Sequence, residues 1–238
     1  SQPLADALLL EDGTINAVGA FDELQSLRDD ETVLIDLAGK TMLPGFIDGH
    51  GHIGNLMAGL PKLYAPPMGI VDSKETLLSE LRRMLKEERM ENGWLIAMGY
   101  DNAFFENNAH PTRAELDAIS TDVPILVLHA SGHVGTVNSK AIEIVGWTKD
   151  TANPEGGLLQ HDPTTGELNG IIEEKAIHIV GLGYAMQGLS TEALVNIFLN
   201  TQNFYASKGL TTAEECSLMT DTMEIFDYCR EQGKIYID

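Results

Sequence analysis

The chain has 238 residues, 43% of them hydrophobic and 21% charged, and a formal charge of −21 from 15 basic and 36 acidic side chains. That length is enough to bury a real core, as one large domain or as one domain with a small companion. The acidic balance repels phosphate backbones and excludes nucleic acid as an expected partner, and the lack of any apolar run of about 18 residues excludes a transmembrane helix.

The residues from Asp6 to Glu11 are apolar and strand-like, Asp12-Gly13 is a turn dipeptide, and Thr14 to Gly19 returns, so 6–19 predicts a β-hairpin. Phe21 to Leu27 predicts a short helix and Thr32 to Leu37 a further strand. Residues 1–43 thus read as part of a small β unit, too short to fold alone. The character changes at Thr41-Met-Leu-Pro-Gly-Phe-Ile-Asp48, a short apolar run leading into Gly49-His50-Gly51-His52.

From there strands and helices alternate. Ser73 to Glu91 predicts a long helix, with Ser73 as N-cap and Leu77, Leu78, Leu81 and Leu85 on one face. Trp94 to Gly99 is a strand. Pro111 opens a short helix through Ile119, where Thr112 and Glu115 have the spacing of a capping box. Pro124 to Ala130 is a strand and Asn138 to Val145 a helix, capped by Asn138 or Ser139. The stretch from Thr148 to Asn169 is rich in Gly, Pro, Thr and Asp and predicts an insertion with a hairpin at 148–170. Glu173 to Val180 reads as helix or strand-to-helix. Thr191 to Lys208 is a second long helix stopped by Gly209, Leu210 to Glu215 a strand, Thr220 to Gln232 a helix stopped by Gly233, and Lys234 to Asp238 a last strand.

Strands separated by helices predict an α/β fold with a parallel sheet and right-handed crossovers. The expected architecture is a partial (β/α)8 TIM-type barrel over 44–238, with its site at the C-terminal ends of the strands. A doubly wound sheet competes, but no GxGxxG follows a strand.

In an extended strand, residues two apart share a face, so His50 and His52 aim their rings at one point and Asp48 can join them. Two neutral imidazoles at one point suit zinc or another borderline divalent metal. Gly49 and Gly51 leave the opposite face bare for close backbone approach. The other polar candidates lack such a pattern. His129 lies in a strand and fits the core, Asp101 ends a strand, and Tyr100 and Trp94 read as core; His110, His161 and His178 sit in loop or helix contexts. Cys216 ends a strand, but nothing near it in sequence supplies the base a nucleophilic thiol needs. Cys216 and Cys229 lack CxxC spacing and, with no secretory n-region after Ser1, predict reduced thiols in a cytoplasmic protein.

The run from Gly39 through Pro44-Gly45-Phe46-Ile47-Asp48 to His52 resembles the first barrel strand of the amidohydrolase superfamily. Trp94 to Asp101, Pro111-Thr-Arg-Ala-Glu-Leu-Asp117, Ser131-Gly-His-Val-Gly-Thr-Val-Asn-Ser139 and Gly170-Ile-Ile-Glu-Glu-Lys-Ala176 are similar, in order, to segments of its YtcJ-like branch. The resemblance spans the whole chain. It implies a (β/α)8 barrel with a small β-sandwich domain built from both chain ends, one or two divalent metal ions, zinc first among them, and hydrolysis of a non-peptide, amide-like C–N bond in a small-molecule substrate. It carries His50, His52 and Glu174 over as metal ligands, with a carboxylated Lys175 as the fallback for Glu174, and His133 as a catalytic residue in the cleft beside the oxyanion. It also implies two more histidine ligands and an aspartate base from later strands, none of which can be found before Asp238. The expectation is a chain that is poorly active alone, partnered by a C-terminal portion or by a second copy in a homodimer. A catalytically incomplete interaction module, or a deaminase or isomerase on the same scaffold, stands as the alternative.

Overall fold

A computed structural model describes residues 4–54, 63–90, 92–181, 184, 188–216 and 220–238. The chain divides into two compact units, Ser1–Pro44 and Gly45–Asp238.

In the first unit, β1 (Ala7–Glu11) pairs antiparallel with β2 (Thr14–Gly19), Glu11 opposite Thr14. Asp12 and Gly13 both take positive φ, 48° and 75°, as the tight turn between two right-twisted strands requires. A short helix, α1 (Phe21–Gln25), follows. The strand expected over Thr32–Leu37 does not form: the segment has no ladder partner among the described residues, and Val33, Leu34 and Ile35 are exposed. Among the described residues this unit forms one two-stranded hairpin.

The second unit holds two sheets. β3 (Phe46–Gly51) pairs in parallel with β9 (Leu210–Glu215), bringing Gly51 opposite Glu215. The other sheet has five strands in the order β4-β5-β6-β8-β7: β4 (Leu95–Tyr100), β5 (Ile125–His129), β6 (Val134–Val137), β7 (Gly157–His161) and β8 (Leu168–Glu174). β4 and β5 run parallel, and every later pairing is antiparallel. The antiparallel pairings correct the expectation of a parallel sheet. β4 to β8 form a mixed sheet interposed in sequence between β3 and β9, and the topology of the described residues does not confirm the expected partial barrel. The hairpin expected near 148–170 is present as β7 and β8, but it is an integral edge of this sheet rather than a loop.

The sheet is buried on both faces. Leu95, Ala97, Ile125 and Val127 point to one side, where Leu77, Leu81 and Met84 of α2 (Lys74–Lys86) and Leu116 of α3 (Arg113–Asp117) cover them. Ile96, Leu126 and Leu128 point to the other, against Ala141 and Ile142 of α4 (Ser139–Val145) and Ile177 and Val180 of α5 (Lys175–Val180). Period-2 alternation with two apolar sets explains why these strands read as continuous hydrophobic runs. Local chemistry starts the helices as expected. Ser73 and Thr76 form a capping box at α2, Thr112 and Glu115 form one at α3, and Asn138 caps α4.

A third core lies beside β3 and β9. Val195 and Phe198 of α6 (Thr191–Ser207), Ile225 and Cys229 of α7 (Thr220–Glu231), Ile53 and Ile237 pack together. Lys234–Asp238 was expected as a strand. It forms no regular ladder, but Asp238 N–H donates to the Thr211 carbonyl (2.9 Å) and Ala213 N–H to the Asp238 carbonyl (2.7 Å), the pattern of a parallel bridge. β9, α7 and this segment thus make a parallel strand–helix–strand connection. Among the described residues no helix is long and apolar enough to cross a membrane.

Candidate functional site

The C-terminal end of β3 carries Asp48, His50 and, one residue beyond the strand, His52. The His50 and His52 ring centroids are 6.0 Å apart with planes at 72°. Imidazoles that share one ion through metal–nitrogen bonds of about 2 Å hold their centroids roughly 5–6 Å apart, so this pair fits a divalent metal in donor type and spacing.

β9 adds a residue the sequence did not flag. The Glu215 carboxylate reaches His52, Oε1 to Nδ1 at 3.3 Å, while its Oε2 accepts the Gly54 N–H at 2.6 Å. Its side chain is only 10% exposed, against 51% for His52. From α6, the Tyr205 hydroxyl lies near Asp48, beside Gly51; burial, then the Asp48 charge, raises its pKa above the ordinary phenol value. The backbone is drawn in tightly. A Cβ on Gly51 would sit 2.5 Å from Asp48 Oδ2 and 3.1 Å from the Tyr205 hydroxyl, whereas Gly49 faces open space, so of the two glycines only Gly51 serves close approach.

Glu174, expected as the third ligand, makes a side-chain contact with His133. Its carboxylate pairs with His133, Oε1 to Nδ1 at 3.0 Å, both side chains exposed (57% and 69%) at the ends of β8 and the β5–β6 bend. Its backbone is strained, with φ 53° and ψ −121°. Among the described residues no group of three or more His, Cys, Asp or Glu side chains is arranged to hold a metal ion. β8, which ends at Glu174, belongs to the mixed sheet, and His50 lies on the parallel pair. Lys175 follows directly as the first residue of α5.

A second cluster lies at the ends of β4 and β5. The buried Tyr100 hydroxyl contacts His110 Nδ1 at 2.9 Å, and the rings of Tyr100, His110 and His129 meet edge-on. His129 Nδ1 accepts the Ser131 N–H at 3.0 Å, which leaves its proton on Nε2, 3.7 Å from Asp101. Asp101 itself caps the turn that begins at Asn102. Spacing could not reveal this group, because its members meet only when β4 and β5 pair. Burial, then the neighbouring His129, lowers the His110 pKa below 6.5, the ordinary imidazole value. Protonating His110 is therefore harder in the folded than in the unfolded chain. Its contribution to stability is complete above the unfolded value and lost as pH falls through the folded one. The melting temperature should drop as the pH falls below about 6.5, and His110→Gln should flatten that part of the curve. Of the remaining candidates, His161 Nε2 lies 3.1 Å from the Lys149 carbonyl oxygen, His178 has its pKa lowered chiefly by burial, and both cysteines are free, Cys216 exposed and Cys229 buried.

Comparison with known proteins matches residues 33–232 to the model of the amidohydrolase family. The chain is 26% identical to an N-substituted formamide deformylase of Arthrobacter pascens, over 97% of this chain and 42% of that protein. It is 30% identical to the putative amidohydrolase YtcJ of Bacillus subtilis, over 74% of this chain and 32% of that one. In fold it is similar to the crystal structure of an uncharacterized metal-dependent hydrolase from Pyrococcus furiosus, with a TM-score of 0.60 and 19% identity, covering 97% of this chain and 44% of the other. The chain thus spans half or less of the length of these relatives.

Proposed function

The chain belongs to the amidohydrolase family, and from that premise we propose that it contributes the first metal ligands of a hydrolase acting on a non-peptide C–N bond. The observation that carries this reading is the His50–His52 ring pair, 6.0 Å apart at the end of a parallel strand. In this reading β3, β9 and the segment ending at Asp238 are successive strands of a (β/α) barrel, and β4–β8 is an insertion whose end faces carry His133. The similarity to a formamide deformylase favours N-substituted formamides as the substrate class.

His50 and His52 would hold the metal, zinc being the first candidate for two imidazole donors. When bound, the ion supplies Lewis acidity and an acidified water at neutral pH. Further ligands would be needed to complete the coordination of the ion. Glu174 acts here on His133 rather than on the metal: its carboxylate at Nδ1 orients the ring, so that Nε2 can hold or pass a proton at a substrate oxygen or leaving amine. This partnership supports His133 as the catalytic residue.

The test is a metal-dependent assay of the full-length protein with N-alkylformamides, measuring formate and free amine. Formate release that stops on chelation and returns with Zn²⁺ is the expected result. Ammonia release from aminopurines without formate would replace this reading with a deaminase.

A further inference from the structure

We infer that Glu215 is a positioning residue for His52: it fixes the tautomer of the ring, so that Nε2 is the nitrogen offered outward. This rests on the reading of His52 as a metal ligand. A carboxylate at Nδ1 favours the proton there and leaves the lone pair on Nε2, the nitrogen that can then bind a cation. Glu215 is itself immobilised. It is almost fully buried, its second oxygen accepts the Gly54 N–H at 2.6 Å, and its strand is in register with β3 at Gly51. The fit around it leaves no spare room: a Cβ on Gly54 would lie 3.1 Å from Glu215 Oε2 and 2.6 Å from the Phe226 ring. A surface histidine with no task has no need of a largely buried carboxylate on its ring.

Glu215→Gln tests this. The amide can still accept from Gly54 through its oxygen, and its NH₂ then faces Nδ1. That arrangement reverses the tautomer and puts the ring proton on Nε2. Two readouts are taken on the whole chain, the imidazole tautomer by long-range ¹⁵N–¹H NMR without metal and Co²⁺ affinity by calorimetric titration. The expected result is Nδ1–H in the wild type and Nε2–H in the variant, with Co²⁺ binding weakened about 10–100-fold, the range found for partners that orient ligands. A purely structural role for Glu215 would change the melting temperature and leave the tautomer as it was. An unchanged tautomer, or Co²⁺ affinity equal to the wild type, overturns the inference. If the wild type itself binds no Co²⁺, the metal reading of His52 fails, and the tautomer alone decides whether Glu215 sets the ring. Should Glu215→Gln not fold, the wild type decides alone: a ring proton found on Nε2 of His52 overturns the inference.

Discussion

Replacing His50 and His52 together with alanine should lower divalent-metal affinity at least about 100-fold while leaving the fold intact, because the two imidazole donors at the end of β3 are then gone. Both side chains are exposed at a strand end, so their removal opens no core cavity, and the melting temperature without metal should change by no more than a surface substitution allows, roughly 0.5 kcal/mol. Each single variant should fall between the wild type and the pair. His161→Ala, whose Nε2 lies beside the Lys149 carbonyl in the mixed sheet's hairpin, is the control and should bind as the wild type does. Titration with Zn²⁺ or Co²⁺ checks all four proteins. Binding retained by the double variant would place the ion elsewhere and remove the observation on which the hydrolase reading stands.

The second large effect concerns stability. Asn138 is fully buried and makes four hydrogen bonds to main chain. Its Oδ1 accepts from Ile125 N–H and Ala141 N–H, both at 3.0 Å, and its Nδ2 donates to the carbonyls of Ser120 (2.8 Å) and Val123 (2.9 Å). Asn138→Ala strands the Ile125 and Ala141 N–H groups away from water and takes the donors from two partly buried carbonyls. An unsatisfied buried partner costs about 1–3 kcal/mol, and relaxation prevents full addition, so a loss of about 3–5 kcal/mol is expected in urea denaturation. Asn138→Asp should also destabilise, since it sets an acceptor against two carbonyl oxygens. A loss below about 1 kcal/mol for the alanine variant would mean that the loop at 120–123 and β5 are not held through this side chain.

Asn138 also illustrates what the sequence could and could not disclose. Its place before an apolar helix marked it as a cap, because capping is a contact over three residues. Its ties to β5 and to the preceding loop depend on tertiary pairing and left no local trace. The same division runs through the fold. The capping boxes at Ser73 and Thr112, the Asp12-Gly13 turn and the strand–helix alternation after residue 44 are all set by near neighbours. The allocation of strands to sheets is not. A run such as Pro124 to Ala130, apolar on both faces, reads alike in a barrel and in a covered mixed sheet. The segment Thr32–Leu37 had strand composition but no neighbour to pair with. At the site, the HxH spacing was legible because alternate residues of a strand share a face. Glu215 was not, because only the β3–β9 register brings it to His52. Glu174 and His133 were both singled out, but for separate tasks; the antiparallel β6–β8 ladder, with Val134 opposite Glu173, makes them partners.

The separation between His52 and Glu215, 163 positions along the chain, has a kinetic meaning. Joining two such distant points costs loop-closure entropy that grows only logarithmically with length but must be met before their contact can form. The β4–β8 ladders link strands close together in sequence and can assemble without that closure. The mixed sheet should therefore gain protection from hydrogen exchange early in refolding, with β3 and β9 joining late, and the last geometry to appear is the one that aims the imidazole.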